Sequence, residues 1–153
     1  MVRGFSVTEG DLQDFRDLLR LFLNITLQNS TRKEKDPEVL YQKVQTSVDD
    51  YLYLEEPFVV TEAMFAATGQ KSGVVLVSED HFEWYMQYAT IAIPTLPEEP
   101  GFQEPNSQFL STSEANNVLT VARGTQSKLR RALEAAAEYE EDKAPAATKG
   151  FVN

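Results

Sequence analysis

The chain has 153 residues, 42 % apolar, 10 % aromatic and 25 % charged, and its 24 Asp plus Glu against 14 Lys plus Arg leave a formal charge of −10. Such proportions exclude the collagenous, disordered and membrane-spanning classes, and a chain of this length buries about 68–70 % of its unfolded surface, enough for an ordinary core. With no cysteine, thiolate nucleophiles, Cys-ligated zinc, iron–sulfur clusters and disulfide frameworks are excluded as well.

The acidity is unevenly placed. Residues 1–43 sum to zero, residues 44–122 carry twelve acids and the single base Lys71, and residues 123–153 are close to neutral. A basic footprint for nucleic acid is missing from that middle, so direct nucleic-acid binding is not expected. An acidic stretch of this kind serves either as a solvated surface or as a face that docks a basic partner, with electrostatics setting on-rate and orientation.

In chain order, MVRGFSVTEG has one Arg and no apolar run of the length a secretory leader needs. No stretch approaches the roughly 18 apolar residues of a membrane span. The expectation is a soluble protein, cytoplasmic where it is made, without a membrane partner. Residues 1–8 are assigned no element. Thr8 and Asp11 then make a Thr-x-x-Asp start signal, acids occupy the first turns, and Leu12, Phe15, Leu19 and Phe22 recur at steps of three and four. The spacing predicts a helix over 9–27. Polar Gln28 to Lys35 reads as a loop, after which Asp36 as cap and Pro37 at the first position open a second helix. Leu40, Val44, Val48, Tyr51 and Leu52 give it an apolar face, and Pro57 is expected to end it at or before Glu56. The two helices form an antiparallel hairpin over 9–56.

The middle, 58–93, is expected to hold a small antiparallel β element. Residues 58–67 start strand-like and continue helix-like, and Gly69 supplies a turn or helix cap. Gly73 to Ser78, GVVLVS, is the best strand in the chain. Phe82, Trp84, Met86 and Tyr88 alternate with polar neighbours as in a half-buried strand, while Phe82, Tyr85, Met86, Ala89 and Ile93 also fit a helical stripe; the unbroken alternation favours the strand, turning at Glu79 and Asp80. Residues 94–111 open with PTLPEEPGFQEP, in which four prolines exclude both helix and central strand and predict an extended arm. A last helix is predicted over 112–142. Along it Val118, Ala122, Thr125, Leu129, Ala132, Ala136 and Tyr139 alternate in steps of four and three, as on the seam of a coiled coil. Its bases precede its acids, so Glu138, Glu140, Glu141 and Asp142 crowd a helix C-terminus that the dipole disfavours. An antiparallel mate would relieve this. The tail 143–153 should be flexible alone or ordered by a partner.

Reactive constellations are scarce. His81 is the only histidine, and on a strand it would share a face with Glu79 and Glu83, a set able to hold a metal; a solvated turn is the competing reading and the favoured one. Thr68-Gly69-Gln70-Lys71-Ser72 lacks the spacing of a phosphate loop. The aromatic residues Tyr51, Tyr53, Trp84, Tyr85 and Tyr88 have no interleaved bases with which to stack nucleotides. No cofactor, metal or small-molecule substrate is expected.

The sequence therefore predicts an α+β protein with one domain over 1–142 and a non-enzymatic, structural role as a subunit of a larger particle. A phage head, connector or tail component fits the size and the low motif content. The alternative is a soluble acidic inhibitor or regulatory adaptor that binds a basic site. The expected partners are protein subunits, self or heteromeric. The expected interface comprises the seam residues Leu129, Ala132, Ala136 and Tyr139, the charged flanks Arg130, Arg131, Glu138 and Glu141, and Pro97, Pro100 and Phe102 on the arm.

Overall fold

Thr8 ends one element and caps the next. Its hydroxyl accepts from the Asp11 N–H while the Asp11 carboxylate accepts from the Thr8 N–H, a reciprocal capping box that starts a helix where an extended chain stops. The computed structural model describes residues 2–93 and 112–139, the latter with backbone alone over 112–116. In order, the elements are β1 (Val2–Thr8), α1 (Glu9–Lys33), α2 (Pro37–Thr68), β2 (Ser72–Val77), α3 (Glu79–Thr90), α4 (Thr112–Glu134) and β3 (Ala137–Tyr139). The class is α+β: the described residues form four helices and a three-stranded antiparallel sheet in the order β2-β1-β3.

Strand β1 is central. Phe5 and Val7 point from it into the core, where Phe5 meets Phe15 of α1, Phe58 of α2 and Tyr85 of α3 with ring centroids 6.3–6.5 Å apart. One cluster of buried side chains gathers residues from β1, β2 and all four helices. On the other face of the sheet Gly4 lies between Leu76 and Ala137, and a Cβ there would stand 2.7 Å from Val74 and 2.9 Å from the Tyr139 ring. The missing side chain is what lets three strands close up under that tyrosine.

The predicted hairpin is present, but longer than expected. Helix α1 continues through the polar stretch to Lys33, where Arg32 and Lys33 in the last turn suit the dipole; within it Thr26 and Thr31 satisfy their hydroxyls on the carbonyls of Phe22 and Leu27. The connection shrinks to three residues, and Asp36 and Pro37 open α2 as predicted. Helix α2 does not stop at Pro57. It runs to Thr68, so the strand-like reading of 58–60 is corrected, and Gly69, at φ 74°, caps it in the left-handed conformation that glycine accepts most readily.

Three further expectations are overturned. Residues 81–93 do not form a strand: Ser78 caps α3, Glu79 and Asp80 fill its first turn, and Tyr85, Ala89 and Ile93 go inward. The helical stripe wins over the alternation because it sends one face into the core, while β2 takes β1 as its partner instead. Residues 2–8, assigned no element, are the middle strand. Finally, α4 ends at Glu134 rather than near 142. Ala135 and Ala136 have high helix propensity, yet the Ala136 N–H tightens onto the Leu133 carbonyl and the chain turns out to pair β3 with Val2–Gly4. Tertiary pairing overrides local preference there. The arm 94–111 and the tail 143–153 lie outside the described residues.

Candidate functional site

The proline within α2 organises the surroundings of the sole histidine. Pro57 has no N–H, so the Tyr53 carbonyl one turn back loses its ordinary donor. His81 of α3 replaces it, its Nε2–H donating to that carbonyl over 2.9 Å. One turn on, the Tyr85 hydroxyl donates to the next carbonyl, that of Leu54. The His81 Nδ1 faces the Ser78 hydroxyl at 2.7 Å, and the ring stacks on Tyr53 at 3.9 Å between centroids. Both ring nitrogens thus have partners in the fold. The face expected to carry Glu79, His81 and Glu83 does not exist on a helix, and Glu79 turns instead to Arg3. Among the described residues no group of three His, Asp or Glu side chains is arranged to hold a metal.

Burial pushes the Tyr85 hydroxyl well above its ordinary range. Tyr51 is raised too, first by burial and then by its hydrogen bond to Glu55. It belongs to the seam between α1 and α2, where Arg16 reaches Glu55 at 3.4 Å and Glu62 at 2.6 Å. Across the other side of α1, Lys128 of α4 sits between Asp11 and Asp14 at 3.0 and 2.9 Å. Burial opposes ionisation of Asp11, but the Thr8 N–H and Lys128 outweigh it and hold its carboxyl below the usual carboxylate range. Arg3 joins β1 to α3 and β3 through Glu79 and Glu138, its guanidinium 4.3 Å above the Phe82 ring.

The expected interface residues are scattered by this arrangement. Leu129 is 1 % exposed, within the core of its own chain, and Ala132 packs beside it. Ala136 lies past the end of α4, and Tyr139 and Glu138 are on β3, so no continuous seam runs from 118 to 139. The crowding of acids at a helix C-terminus, which motivated an antiparallel mate, does not arise for Glu138: it is on a strand, bonded to Arg3. Arg130 pairs with Glu134 within its own helix at 3.0 Å, and Arg131 is exposed in the last turn, where a cation suits the dipole. Glu141, Pro97, Pro100 and Phe102 lie outside the described residues.

A different surface stands out, one that sequence reasoning missed. Tyr41, Leu52 and Val59 are 70 %, 55 % and 42 % exposed, and steps of eleven and seven residues put all three on one outward row of α2. Half-buried Val48 lies within the row and exposed Ala66 extends it, to a span of about 37 Å from residue 41 to 66 at ~1.5 Å per residue. Acids border it on both sides. Leu52 lies between Asp49 and Glu55, and Val59 between Glu56 and Glu62, each acid three residues away and therefore adjacent on the helix. The pattern Asp-x-x-Leu-x-x-Glu, Glu-x-x-Val-x-x-Glu was legible at 49–62, but a helix expected to end before Pro57 hides its second half. From Lys43 to the end of α2 there is no further base.

The described residues also form an apolar concavity. A groove of about 400 Å³ between α1 and α4 is lined by Leu18, Leu21, Val118 and Val121, with Asp14 and Asp17 at its rim. It gathers no acid–base pair with a nucleophile. Among the described residues, no helix is long and apolar enough to cross a membrane. In comparisons with known proteins, no family model, no curated protein and no solved structure matches the chain.

Proposed function

We propose that the chain is a non-enzymatic assembly protein, a subunit of a larger complex that works by holding other protein chains. The observation that carries this reading is the outward row of α2, a long helix face with three large apolar side chains in water and no covering element among the described residues. Isolated exposed apolar residues are ordinary on any surface; a row of them along a helix, bordered by charge, is the pattern of an interaction face. The side chains that could support chemistry have other work. His81 and Tyr85 serve the proline in α2, and Arg3, Arg16 and Lys128 each bridge separate elements. A virion component, in a head, connector or tail, is the kind of particle this reading extends to.

The acidic borders of the row also favour the second reading, an adaptor or inhibitor that captures a basic site. The native mass of the chain, taken from its source at low and high salt, separates the two. A large particle that persists through purification is expected for a structural subunit, and a stoichiometric pair with one basic protein for an adaptor. A chain that is found alone and monomeric at every salt concentration would count against both.

A further inference from the structure

Resting on the assembly reading, we infer that the outward row of α2 docks a basic amphipathic helix of a different protein. The row supplies an apolar strip of helical periodicity, which suits a second helix with apolar residues at steps of three and four. Its borders decide the charge of that helix. Asp49 and Glu56 stand exposed on one side; on the other, Glu62 is exposed beside Arg16, while half-buried Glu55 meets Arg16 and lies within the field of Arg20. After Lys43, which is held by Glu34, α2 has no base. A partner with Lys or Arg beside its apolar strip would face the exposed carboxylates of Asp49, Glu56 and Glu62, of which only Glu62 is paired with an arginine.

The same borders exclude two occupants from this chain. A second copy of α2 laid antiparallel on the first would bring Asp49 and Glu56 toward Glu56 and Asp49 of its mate, and Glu55 and Glu62 toward the mate's Glu62 and Glu55, like charge against like along the whole contact. The basic helix α4 cannot serve, because its outer face presents Thr120, Arg123, Ser127 and Arg131, and Val121, its one exposed large apolar side chain among the described residues, makes no strip to cover Leu52 and Val59. Its apolar residues Leu119, Ala122, Leu129 and Leu133 are already buried.

The test uses the intact chain and synthetic three-heptad helical peptides with leucine on the seam and either lysine or glutamate on both flanks, followed by fluorescence anisotropy. The lysine peptide should bind at least ~10-fold more tightly than the glutamate peptide, and several-fold less tightly as salt rises from about 0.05 to about 0.5 M. Leu52→Gln with Val59→Gln should weaken it roughly tenfold while leaving the melting temperature unchanged, since both side chains point to water. Asp49→Lys with Glu56→Lys should shift the preference toward the glutamate peptide. Equal affinity for the two peptides, or binding indifferent to the glutamine pair, overturns the inference. If the chain self-associates and the glutamine pair dissociates it, the occupant is a second copy: this inference falls while the assembly reading stands. If the lysine peptide binds only after residues 140–153 are removed, that segment is the occupant and the inference falls likewise. A monomer that binds neither peptide, and is found alone in its source, overturns both.

Discussion

Tyr85 gives its ring and its hydroxyl to different neighbours. The ring stacks on Phe58 at 5.1 Å between centroids, and the hydroxyl satisfies the Leu54 carbonyl in the interior. Tyr85→Phe keeps the ring and orphans the carbonyl of one donor, so it should lower stability at neutral pH by about 1–2 kcal/mol, read from urea denaturation. The pH dependence has a definite sign. Because burial raises the folded-state pKa of this hydroxyl above the unfolded value near 10, the neutral phenol stabilises the fold fully below that pH and the contribution is lost as pH rises through and beyond it. The gap between wild type and Tyr85→Phe should therefore narrow above about pH 10. A gap that stays constant to pH 11 would contradict the assignment. The histidine beside it was legible only as a residue to watch: sequence could say that His81 stood among acids, but not that its acceptor would be a carbonyl 28 residues away.

At the scale of elements, Pro57 is the instructive case. A proline inside a helix costs about 3 kcal/mol because it removes a hydrogen bond and crowds the preceding turn, which is why the sequence predicts a stop. Helix α2 passes through it because α3 lies alongside, His81 supplying the donor that the Tyr53 carbonyl lacks and Tyr85, one turn on, adding a hydrogen bond to the next carbonyl. This makes the two positions energetically coupled. His81→Ala should cost about 1 kcal/mol in the natural chain, and less in a Pro57→Ala background, where the restored N–H serves the Tyr53 carbonyl; a double-mutant cycle should give a coupling of roughly 0.5–1 kcal/mol. Additive costs would mean that the histidine is not replacing the missing donor. The same logic explains which elements the sequence could deliver. The caps at Thr8, Asp36 and Gly69 are local chemistry and were readable. Strand β3 and the early end of α4 depend on Val2–Gly4, more than 130 residues distant, and were not.

For the molecule as a whole, the first and last helices are tied by Lys128, which bridges Asp11 and Asp14 across more than 110 residues of chain. Asp11 also completes the cap of α1, so Asp11→Asn should lower stability at pH 7 by about 0.5–1 kcal/mol, a figure kept small because the pair is partly solvated. Its depressed pKa means that its contribution is present above the unfolded carboxylate value near 4 and is lost as pH falls through the folded one. Thermal melts between pH 7 and pH 2 should show a shallower acid limb for the variant; identical limbs would remove Asp11 from the account. Net charge has a comparable history. The acids of residues 44–122 were countable from the start, yet whether they face a cleft, each other or water is a question of which side of each helix is covered. By itself, the sequence determined the α+β class, the helical hairpin, its caps, the best strand and the acidic middle, because periodicity, capping and composition act within a few residues. Only the tertiary structure decided that α2 outlasts its proline, that 79–90 is helix, that Leu129 belongs to the core, and that Tyr41, Leu52 and Val59 are left in water. Each of those depends on what packs against an element from far along the chain, and local preference carries no information about that neighbour.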